Sequence, residues 1–387
     1  MNKTPKIFET SKVVTISFAH LLHDIYSSFL APILPLLIEK LSISYSMAAA
    51  LTLAQRIPSL FNPLIGIIAD KVSIRYLLIL APSITVVSMS LLGLAPTYTF
   101  LFILLFIMGI GSALFHVPAP VMVRKVSGER VGLGMSIFMV GGEGARSIAP
   151  IIIIGAVDIW GLEGTFRLIP FGLSASLLLF FMFRNIKISE DLVKKKESGA
   201  LDTFKQYSGF FVLVINILFF QGMLKSAITA FLPTFINSES GDIWLGTIAL
   251  SVFQGAGAAG TFAIGSLSDK FGRKRILLII AAISPLLLIL FLYTPSELGL
   301  GVLFLLGFIM FGSQPVMMAI VNELKSERPA FLNGIYFTIN FVTSAIAILL
   351  AGVIADLFGF RNMYLVTAVF SFATLYFIYK LPVSRSN

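Results

Sequence analysis

The amino-acid sequence predicts an all-α membrane protein, a bundle of twelve transmembrane helices in two pseudo-symmetric six-helix halves. Three features predict this class: a shortage of charge, twelve long apolar segments and an internal repeat. Of the 387 residues, 57% are hydrophobic and only 12% are charged, whereas soluble domains carry about 25% charged residues. So few charges cannot cover a soluble surface, but a lipid-facing surface accepts apolar side chains.

A membrane-spanning helix needs about 20 mostly apolar residues, and twelve segments of that kind follow one another along the chain. We number them spans 1 to 12, at residues 13-38, 45-69, 75-95, 99-123, 131-157, 163-184, 207-236, 243-267, 275-293, 298-322, 329-355 and 361-380. The polar stretch 185-206 is the predicted cytoplasmic linker between an N-terminal half, 1-184, and a C-terminal half, 207-387.

Span 1 is expected to stay in the protein rather than to be cleaved as a signal peptide. The apolar region of a signal peptide has about 7–15 residues, and span 1 is longer. It also contains His20, His23 and Asp24, and no small-residue cleavage site follows it.

The basic residues predict the orientation of the chain. With the N-terminus inside, most of the 28 Lys and Arg residues fall in cytoplasmic segments, and the outer segments hold only Lys40, Arg167 and Arg361. Since cytoplasmic loops of membrane proteins are enriched in Lys and Arg, topology explains the net charge of +9, and no nucleic-acid partner is expected. The sequence therefore predicts a monomer in the inner cell membrane, with both termini in the cytoplasm.

The loops after spans 2 and 8 share one pattern, a Gly followed by an Asp and then by basic residues. The first copy consists of Gly66, Asp70, Lys71 and Arg75, and the second of Gly265, Asp269, Lys270, Gly272, Arg273 and Lys274. The Gly lets two helices approach closely, and the Asp can pair with an Arg or with a helix N-terminus. Such contacts can close a cytoplasmic gate in one state and release it in another. For either copy alone, the alternative is an ordinary basic loop.

The ends of spans 5 and 11 also repeat. Span 5 runs to Asp158-Ile-Trp-Gly161, and span 11 runs to Asp356-Leu-Phe-Gly359. Internal repeats of this kind are typical of transporters whose two halves move against each other around a central site. A receptor or scaffold has no need of them.

Small residues and prolines predict where helices pack closely and where they bend. Two spans carry a small-residue face, so close helix contacts are expected there. The residues are Gly132, Gly134, Gly141, Gly142 and Gly144 in span 5, and Gly255, Gly257 and Gly260 in span 8. Two proline pairs should bend spans 1 and 4. These pairs are Pro32 with Pro35 and Pro118 with Pro120.

The doubled loop resembles the signature loop of the major facilitator superfamily, and the resemblance covers the whole chain. Three further segments resemble the fosmidomycin resistance protein group. They read His20-Leu-Leu-His23-Asp24 in span 1, Gly109-Ile-Gly-Ser-Ala-Leu-Phe115-His116-Val-Pro118 in span 4, and Gly141-Gly142-Glu143-Gly144 with Pro150 in span 5. This resemblance implies an exporter of drugs or metabolites driven by proton exchange. The chain departs from the group at Val117, Glu143 and Arg146, and from the loop pattern at Ser73 and Ile74.

Five ionisable residues within the spans are candidates for proton coupling. They are Asp24, Glu143, His20, His23 and His116. A charged group within a membrane helix costs about 2.5–3.5 kcal/mol, so each needs a partner or a task. His20 and Asp24 are four residues apart and share a helix face, where a carboxylate and an imidazole can handle protons near neutral pH. The alternative is that His20 and His23 lie near the helix end and bond water.

Seven polar residues of the spans are candidates for substrate binding. They are Arg56, Arg146, Lys225, Gln221, Gln254, Gln314 and Asn340. Glu143 and Arg146 share a helix face and form either a neutral internal pair or one that an anion or a proton opens. Arg56 either binds substrate or forms a structural ion pair with Asp24. Lys225 is expected to snorkel, to pair with a carboxylate of the first half, or to meet an anionic substrate.

The function predicted from these features is secondary active transport of a small organic solute, most simply proton-coupled export. The slight basic excess within the spans favours an anionic or zwitterionic solute. The sequence holds no G-x-x-x-x-G-K-[ST], H-E-x-x-H or G-x-S-x-G motif, so an enzyme or an ATP-driven pump is not expected. Because the chain has no Cys, thiolate metal sites are excluded, and neither a metal site nor a cofactor is expected beside the proton gradient. The alternatives are an uptake symporter or exchanger for an organic anion and, in another class, a receptor or scaffold without transport.

Overall fold

The computed structural model of the protein describes residues 8–62, 74–128, 130–183, 200–324 and 329–382. These residues form helices joined by short turns, and the chain divides into two compact units. Unit 1 holds Met1–Ile43 and Leu51–Val193, and unit 2 holds Ser44–Ala50 and Lys194–Asn387.

Eight α-helices lie in residues 8–183, and the third of them begins in the short segment grouped with unit 2. They are α1 Thr10–Ser27, α2 Leu30–Leu41, α3 Tyr45–Ala54, α4 Ile74–Ser90, α5 Tyr98–His116, α6 Ala119–Val126, α7 Val131–Trp160 and α8 Ile169–Phe183. Single 3-10 turns lie at Ile57–Phe61, Leu92–Leu94 and Glu163–Leu168. Within unit 1, α1 packs along α7, and α4 packs against α5 and α8.

The proline pairs of spans 1 and 4 lie at helix breaks, as predicted. α2 begins two residues before Pro32, and α6 begins directly after Pro118. Proline lacks a backbone N–H and its ring clashes with the preceding helical turn, so the helix is interrupted at that point. Asp24 lies in the last turn of α1 and His116 ends α5, which places both residues beside a break.

Glycines on α7 allow it to approach α1 closely. A Cβ at Gly141 would lie 2.5 Å from the carbonyl oxygen of Ser17, and a Cβ at Gly142 would overlap the ring of His20. The small-residue face predicted for span 5 is confirmed at these two positions. It is wrong at Gly144, where no described atom lies within 4 Å of the Cβ position, so helix contact does not require that glycine.

Seven α-helices lie in residues 200–382 and belong to unit 2. They are α9 Ala200–Ser240, α10 Ile243–Phe271, α11 Arg273–Tyr293, α12 Ser296–Phe311, α13 Ser313–Asn322, α14 Pro329–Ser371 and α15 Ala373–Lys380. A core around the buried Tyr336 joins α9, α11, α13 and α14. α10 also packs against α12. This contact requires small residues, because a Cβ at Gly260 would overlap the carbonyl group of Phe308 and one at Gly307 would overlap the backbone of Phe253.

Nine helices within the described residues are long and apolar enough to cross a membrane, where the sequence predicts twelve spans. One of them, Leu332–Lys380, contains spans 11 and 12, which run together through a non-helical residue at Gly359. Span 3 appears as the shorter apolar helix Ile79–Leu94, and span 2 is interrupted where α3 ends at Ala54. These three features account for the difference, and the all-α bundle is confirmed.

Backbone geometry repeats between the two units. Gly161 ends α7 with φ 73° and ψ 167°, and Gly359 interrupts α14 with φ 78° and ψ 164°. Residues with a Cβ rarely adopt this conformation, whereas glycine does so readily. The Asp-x-x-Gly repeat of the sequence therefore marks the same kind of helix ending in both halves.

The carboxylate of Asp356 caps the start of α3. Its Oδ1 accepts a hydrogen bond from the backbone N–H of Tyr45 at 2.7 Å, and its Oδ2 accepts one from Ser46 at 2.9 Å. The first N–H groups of a helix have no partner within the helix, and an acidic side chain satisfies them well. Tyr45 and Ser46 belong to the segment Ser44–Ala50 of unit 2, so the cap lies within that unit.

Candidate functional site

Asp24 is the centre of a buried polar cluster in unit 1. The residue is 1% exposed, and three side chains from three helices surround its carboxylate. Oδ2 lies 3.4 Å from Nε2 of His20 and 3.3 Å from Nη2 of Arg146, while Oδ1 lies 3.3 Å from Nε2 of His116. The predicted pairing of His20 with Asp24 across one helical turn is confirmed.

The ring of His20 is fixed from both sides. Its Nδ1 lies 2.8 Å from the carbonyl oxygen of Phe138, and its ring stacks on the ring of Phe138 with centroids 4.0 Å apart. A carbonyl oxygen can only accept, so Nδ1 carries the donated hydrogen, and Nε2 is the ring nitrogen that faces Asp24. Gly142 leaves the space in which this ring lies.

His23 is fully buried, although it lies close to the C-terminal end of α1. It is 0% exposed and stacks on Phe115 with ring centroids 4.9 Å apart, while the edge of His116 packs against it at 5.2 Å. Neither ring nitrogen has a hydrogen-bond partner among the described residues. Both rings are enclosed by aromatic side chains, and whether His20 and His23 bond water stays an open alternative.

Arg146 holds two carboxylates together. Its Nη1 donates to Oε1 of Glu143 at 3.0 Å, and its Nη2 donates to Oδ2 of Asp24 at 3.3 Å. The predicted pair of Glu143 and Arg146 is confirmed, and the contact to Asp24 was not predicted. The guanidinium side chain is 40% exposed, so it connects the buried carboxylates to more open space.

Arg56 does not form the ion pair with Asp24 that was considered from the sequence. Within the described residues, the side chains within 4 Å of the Asp24 carboxylate in ion-pair geometry are those of His20, His116 and Arg146, and Arg56 is not among them. Arg56 follows the end of α3 and comes directly before the 3-10 turn Ile57–Phe61. Gly109 allows α5 to pack closely on the end of α3, because a side chain at that position would overlap the carbonyl oxygen of Gln55. This close packing sets the position of Arg56 beside α5.

Four of the candidate residues of unit 2 line a small cavity. Its lining includes Gln221, Lys225, Gln314 and Asn340, with the ring of Tyr336. Gln254 is buried on α10 but is not part of that lining. The Nζ atom of Lys225 lies 4.0 Å from the centroid of the Phe311 ring, a cation–π contact that stabilises a cation within an apolar environment. The pairing of Lys225 with a carboxylate of the first half stays a prediction.

The second copy of the repeated loop is tied to its own unit by ion pairs and hydrogen bonds. Arg273 lies 3.2 Å from Asp269 and 2.6 Å from Glu323, and Nζ of Lys274 donates to the carbonyl oxygens of Tyr379 and Leu381 at 2.7 and 2.9 Å. The expected pairing of the loop Asp with an Arg is confirmed.

Glu323 follows the end of α13, and no sequence pattern marked it as a partner of the loop. Gly265, Lys270 and Gly272 belong to the same loop, and Lys270 is exposed. The first copy, Gly66, Asp70 and Lys71, lies outside the described residues, as does the side chain of Arg75. The gating role of both loops stays a prediction.

Nine helices in the described residues are long and apolar enough to cross a membrane, which defines a multi-pass membrane protein. The family model of the Major Facilitator Superfamily matches residues 16–341 and 214–387. The chain belongs to that superfamily.

Relatives of similar length carry names of resistance proteins. The chain is 26% identical over 360 residues to the Fosmidomycin resistance protein of Escherichia coli K12, covering 91% of this chain and 88% of that protein. It is 24% identical to the Multidrug resistance protein MdtG of Klebsiella pneumoniae, covering 88% and 86% of the two chains. The resemblance to the fosmidomycin resistance group inferred from spans 1, 4 and 5 is confirmed.

Solved structures share the fold at low sequence identity. A bacterial homologue of the human lysosomal transporter Spinster, in an inward-facing conformation, superposes with a TM-score of 0.80 at 14% identity and covers 97% of each chain. A D-xylose-proton symporter superposes with a TM-score of 0.78 at 13% identity, covering 98% of this chain and all of that one. These likenesses confirm the fold.

Proposed function

We propose that the protein is a proton-coupled exporter of a small zwitterionic organic acid, which it moves by alternating access; the second candidate is symport of a simple organic anion with a proton. The observation that carries this proposal is the Asp24 carboxylate, buried within a membrane helix and shared by two imidazoles and one guanidinium. Ionisable groups at such depth are costly and mark ion or substrate pathways. The names of the resistance relatives support the direction of transport.

Arg146 links proton binding to substrate binding in this proposal. Because it donates to Asp24 and to Glu143 at once, each carboxylate restrains the guanidinium while it carries a negative charge. Protonation of one carboxylate removes one of these charge-assisted hydrogen bonds, which are about twice as strong as neutral ones. The guanidinium is then free to form the planar two-point contact that suits a carboxylate or a phosphonate.

Arg56 is a second cation of the same unit. An anionic substrate group that reached both guanidinium groups would be attracted to each of them. Two cations in one unit thus favour an acidic group on the substrate. The acidic group would bind here and replace a carboxylate of the protein on Arg146.

The charge of the rest of the substrate decides how protons and substrate are coupled. A zwitterion brings an ammonium group that competes with protons for Asp24, so substrate and proton bind in alternation and are exchanged. A simple anion binds best when Asp24 is protonated, so proton and anion would move in the same direction. Geometry at Arg146 therefore gives specific support to the second candidate function, an anion–proton symporter.

The experiment uses the purified protein in proteoliposomes and measures uptake of labelled carboxylates, phosphonates and zwitterionic amino acids under pH gradients of either sign. Export by proton exchange predicts accumulation of a zwitterion when the lumen is acidic, because protons leave as substrate enters. Accumulation only with an alkaline lumen would establish the symporter instead. Flux that is independent of the pH gradient in both directions would refute proton coupling. An absence of flux for every substrate tested would refute the assignment of substrate class.

A further inference from the structure

We propose that His20, Asp24 and His116 form a binding site for a divalent transition-metal ion of the Zn²⁺ type. The potential ligand atoms are Nε2 of His20, Nε2 of His116 and a carboxylate oxygen of Asp24, and they all lie within 4.8 Å of one another. The inference concerns ligand binding only and does not depend on the direction or the substrate of transport.

The distances fit a metal of this size. Zn²⁺ binds imidazole nitrogen at about 2.0–2.1 Å and carboxylate oxygen at about 2.0–2.2 Å, usually in a tetrahedral arrangement, in which neighbouring ligand atoms are about 3.4 Å apart. Nε2 of His20 lies 3.4 Å from Oδ2 of Asp24, and Nε2 of His116 lies 3.3 Å from Oδ1, so each imidazole faces its own oxygen of the shared carboxylate. One ligand atom from each residue lies within 4.8 Å of the others, and the rings would have to close in slightly on a bound ion.

The surroundings of His20 are those of a metal ligand. Metal-binding histidines nearly always donate their second ring N–H to a carbonyl or carboxylate, which fixes the tautomer and the ring orientation. His20 does so through Nδ1 and the carbonyl oxygen of Phe138 at 2.8 Å, and its ring is held against the ring of Phe138. Nε2 is therefore the ring nitrogen directed at Asp24.

Arg146 is the main competitor of a metal ion for the Asp24 carboxylate. Its contact leaves one carboxylate oxygen available to the ion. It donates to Oδ2 of Asp24, whereas Oδ1 has no hydrogen-bond donor among the described residues and faces His116. A metal on Oδ1 would leave the contact of Oδ2 with Arg146 in place. Glu143 compensates part of the positive charge of Arg146 at 3.0 Å.

The donor set selects the kind of ion, and the exposure of His116 provides access. Two imidazoles and one carboxylate suit Zn²⁺, Ni²⁺ or Co²⁺ better than Mg²⁺ or Ca²⁺, which prefer oxygen ligands. The side chain of His116 is 36% exposed, so an ion can reach the site from that side. Three protein ligands leave the fourth tetrahedral position open to water.

The test is calorimetric titration of the purified full-length protein with ZnCl₂ in detergent, using an affinity tag without histidine and no pH gradient. One ion per chain is expected. His116→Gln should weaken Zn²⁺ binding by at least about tenfold, in line with losses seen at metal sites. The matched control is Asp158→Asn, which removes an exposed carboxylate outside the ligand set and should leave the affinity unchanged. Absence of binding at about 1 mM ZnCl₂, or equal affinities for wild type and His116→Gln, would overturn the proposal.

A second measurement needs no variant. The three histidines of the chain all lie in this cluster, so the imidazoles bound to Zn²⁺ can be counted by X-ray absorption on the wild-type protein. Two imidazoles are expected in the coordination shell, and a shell with none or one would contradict the site. Since binding is measured without transport, a failure here leaves proton coupling intact, and a failure of proton coupling leaves the titration unaffected.

Discussion

Replacement of Arg146 by Met should destabilise unit 1, because two buried carboxylates lose the cation that they share. The guanidinium makes two hydrogen bonds to charged groups, at 3.0 Å to Glu143 and 3.3 Å to Asp24, and bonds of this kind contribute about 1.5–3 kcal/mol each. Since the Arg146 side chain is 40% exposed and the bond to Asp24 is long, we take the lower end. The expected loss is about 2–3 kcal/mol in the free energy of unfolding.

The assay is equilibrium unfolding of the purified protein in mixed micelles, followed by circular dichroism. The double variant Glu143→Gln/Arg146→Met serves as the matched comparison, because it also removes the carboxylate that Arg146→Met leaves without its cation. We expect the double variant to recover at least about 1 kcal/mol of the loss, as for coupled residues in contact. A stability of Arg146→Met within about 0.5 kcal/mol of wild type, the range of ordinary surface changes, would refute the reasoning and show that the ion pairs contribute nothing to stability.

Two further predictions test the packing of α1 on α7 and the loop of unit 2. Gly142→Ala should lose about 1–3 kcal/mol of stability, because its Cβ would overlap the His20 ring, while the control Gly144→Ala, in open space, should be neutral or gain up to about 1 kcal/mol. Equal effects of the two changes in the same unfolding assay would contradict the packing argument. Arg273→Ala should lose about 1 kcal/mol, because Arg273 bridges Asp269 and Glu323. The control Lys270→Ala, at an exposed position of the same loop, should stay within about 0.5 kcal/mol, and a loss as large as that of Arg273→Ala would show that the ion pairs are not its cause.

Local contacts were predictable from the sequence because helix periodicity determines them. His20 and Asp24 are four residues apart, and Glu143 and Arg146 are three apart, so a helix places each pair on one face. The structure confirms both contacts. The Asp-x-x-Gly repeat likewise predicted equivalent helix endings, and Gly359 shows the expected conformation.

Contacts between helices distant in sequence could not be predicted in the same way. Arg146 reaches Asp24 across 122 residues, and nothing in the periodicity of α1 or α7 specifies that α7 packs on this face of α1. From the sequence, Arg56 rather than Arg146 was considered as an ion-pair partner of Asp24, and the structure gives Arg146 instead. The pairing of Arg273 with Glu323 depends in the same way on how the helices pack.

Composition explains why the enclosure of the histidines was missed. From the sequence, His20 and His23 lie within an apolar helix, and either burial or a wet helix end agrees with that pattern. Burial depends on Phe115 and Phe138 from two other helices, which stack on the imidazoles. In a chain with 36 Phe residues, no sequence signal marks these two as different from those that face lipid.

The most direct test of the central proposal is the effect of Asp24→Asn on two kinds of flux in proteoliposomes. Asparagine keeps the shape of the side chain but cannot bind and release a proton. We predict that accumulation driven by a pH gradient falls to the level of empty liposomes, while exchange of labelled for unlabelled substrate at equal pH continues. The same change at the exposed Asp158 should leave both fluxes unchanged. Accumulation driven by the pH gradient at the wild-type rate in Asp24→Asn would contradict the account, since it would show that protons couple to transport without Asp24.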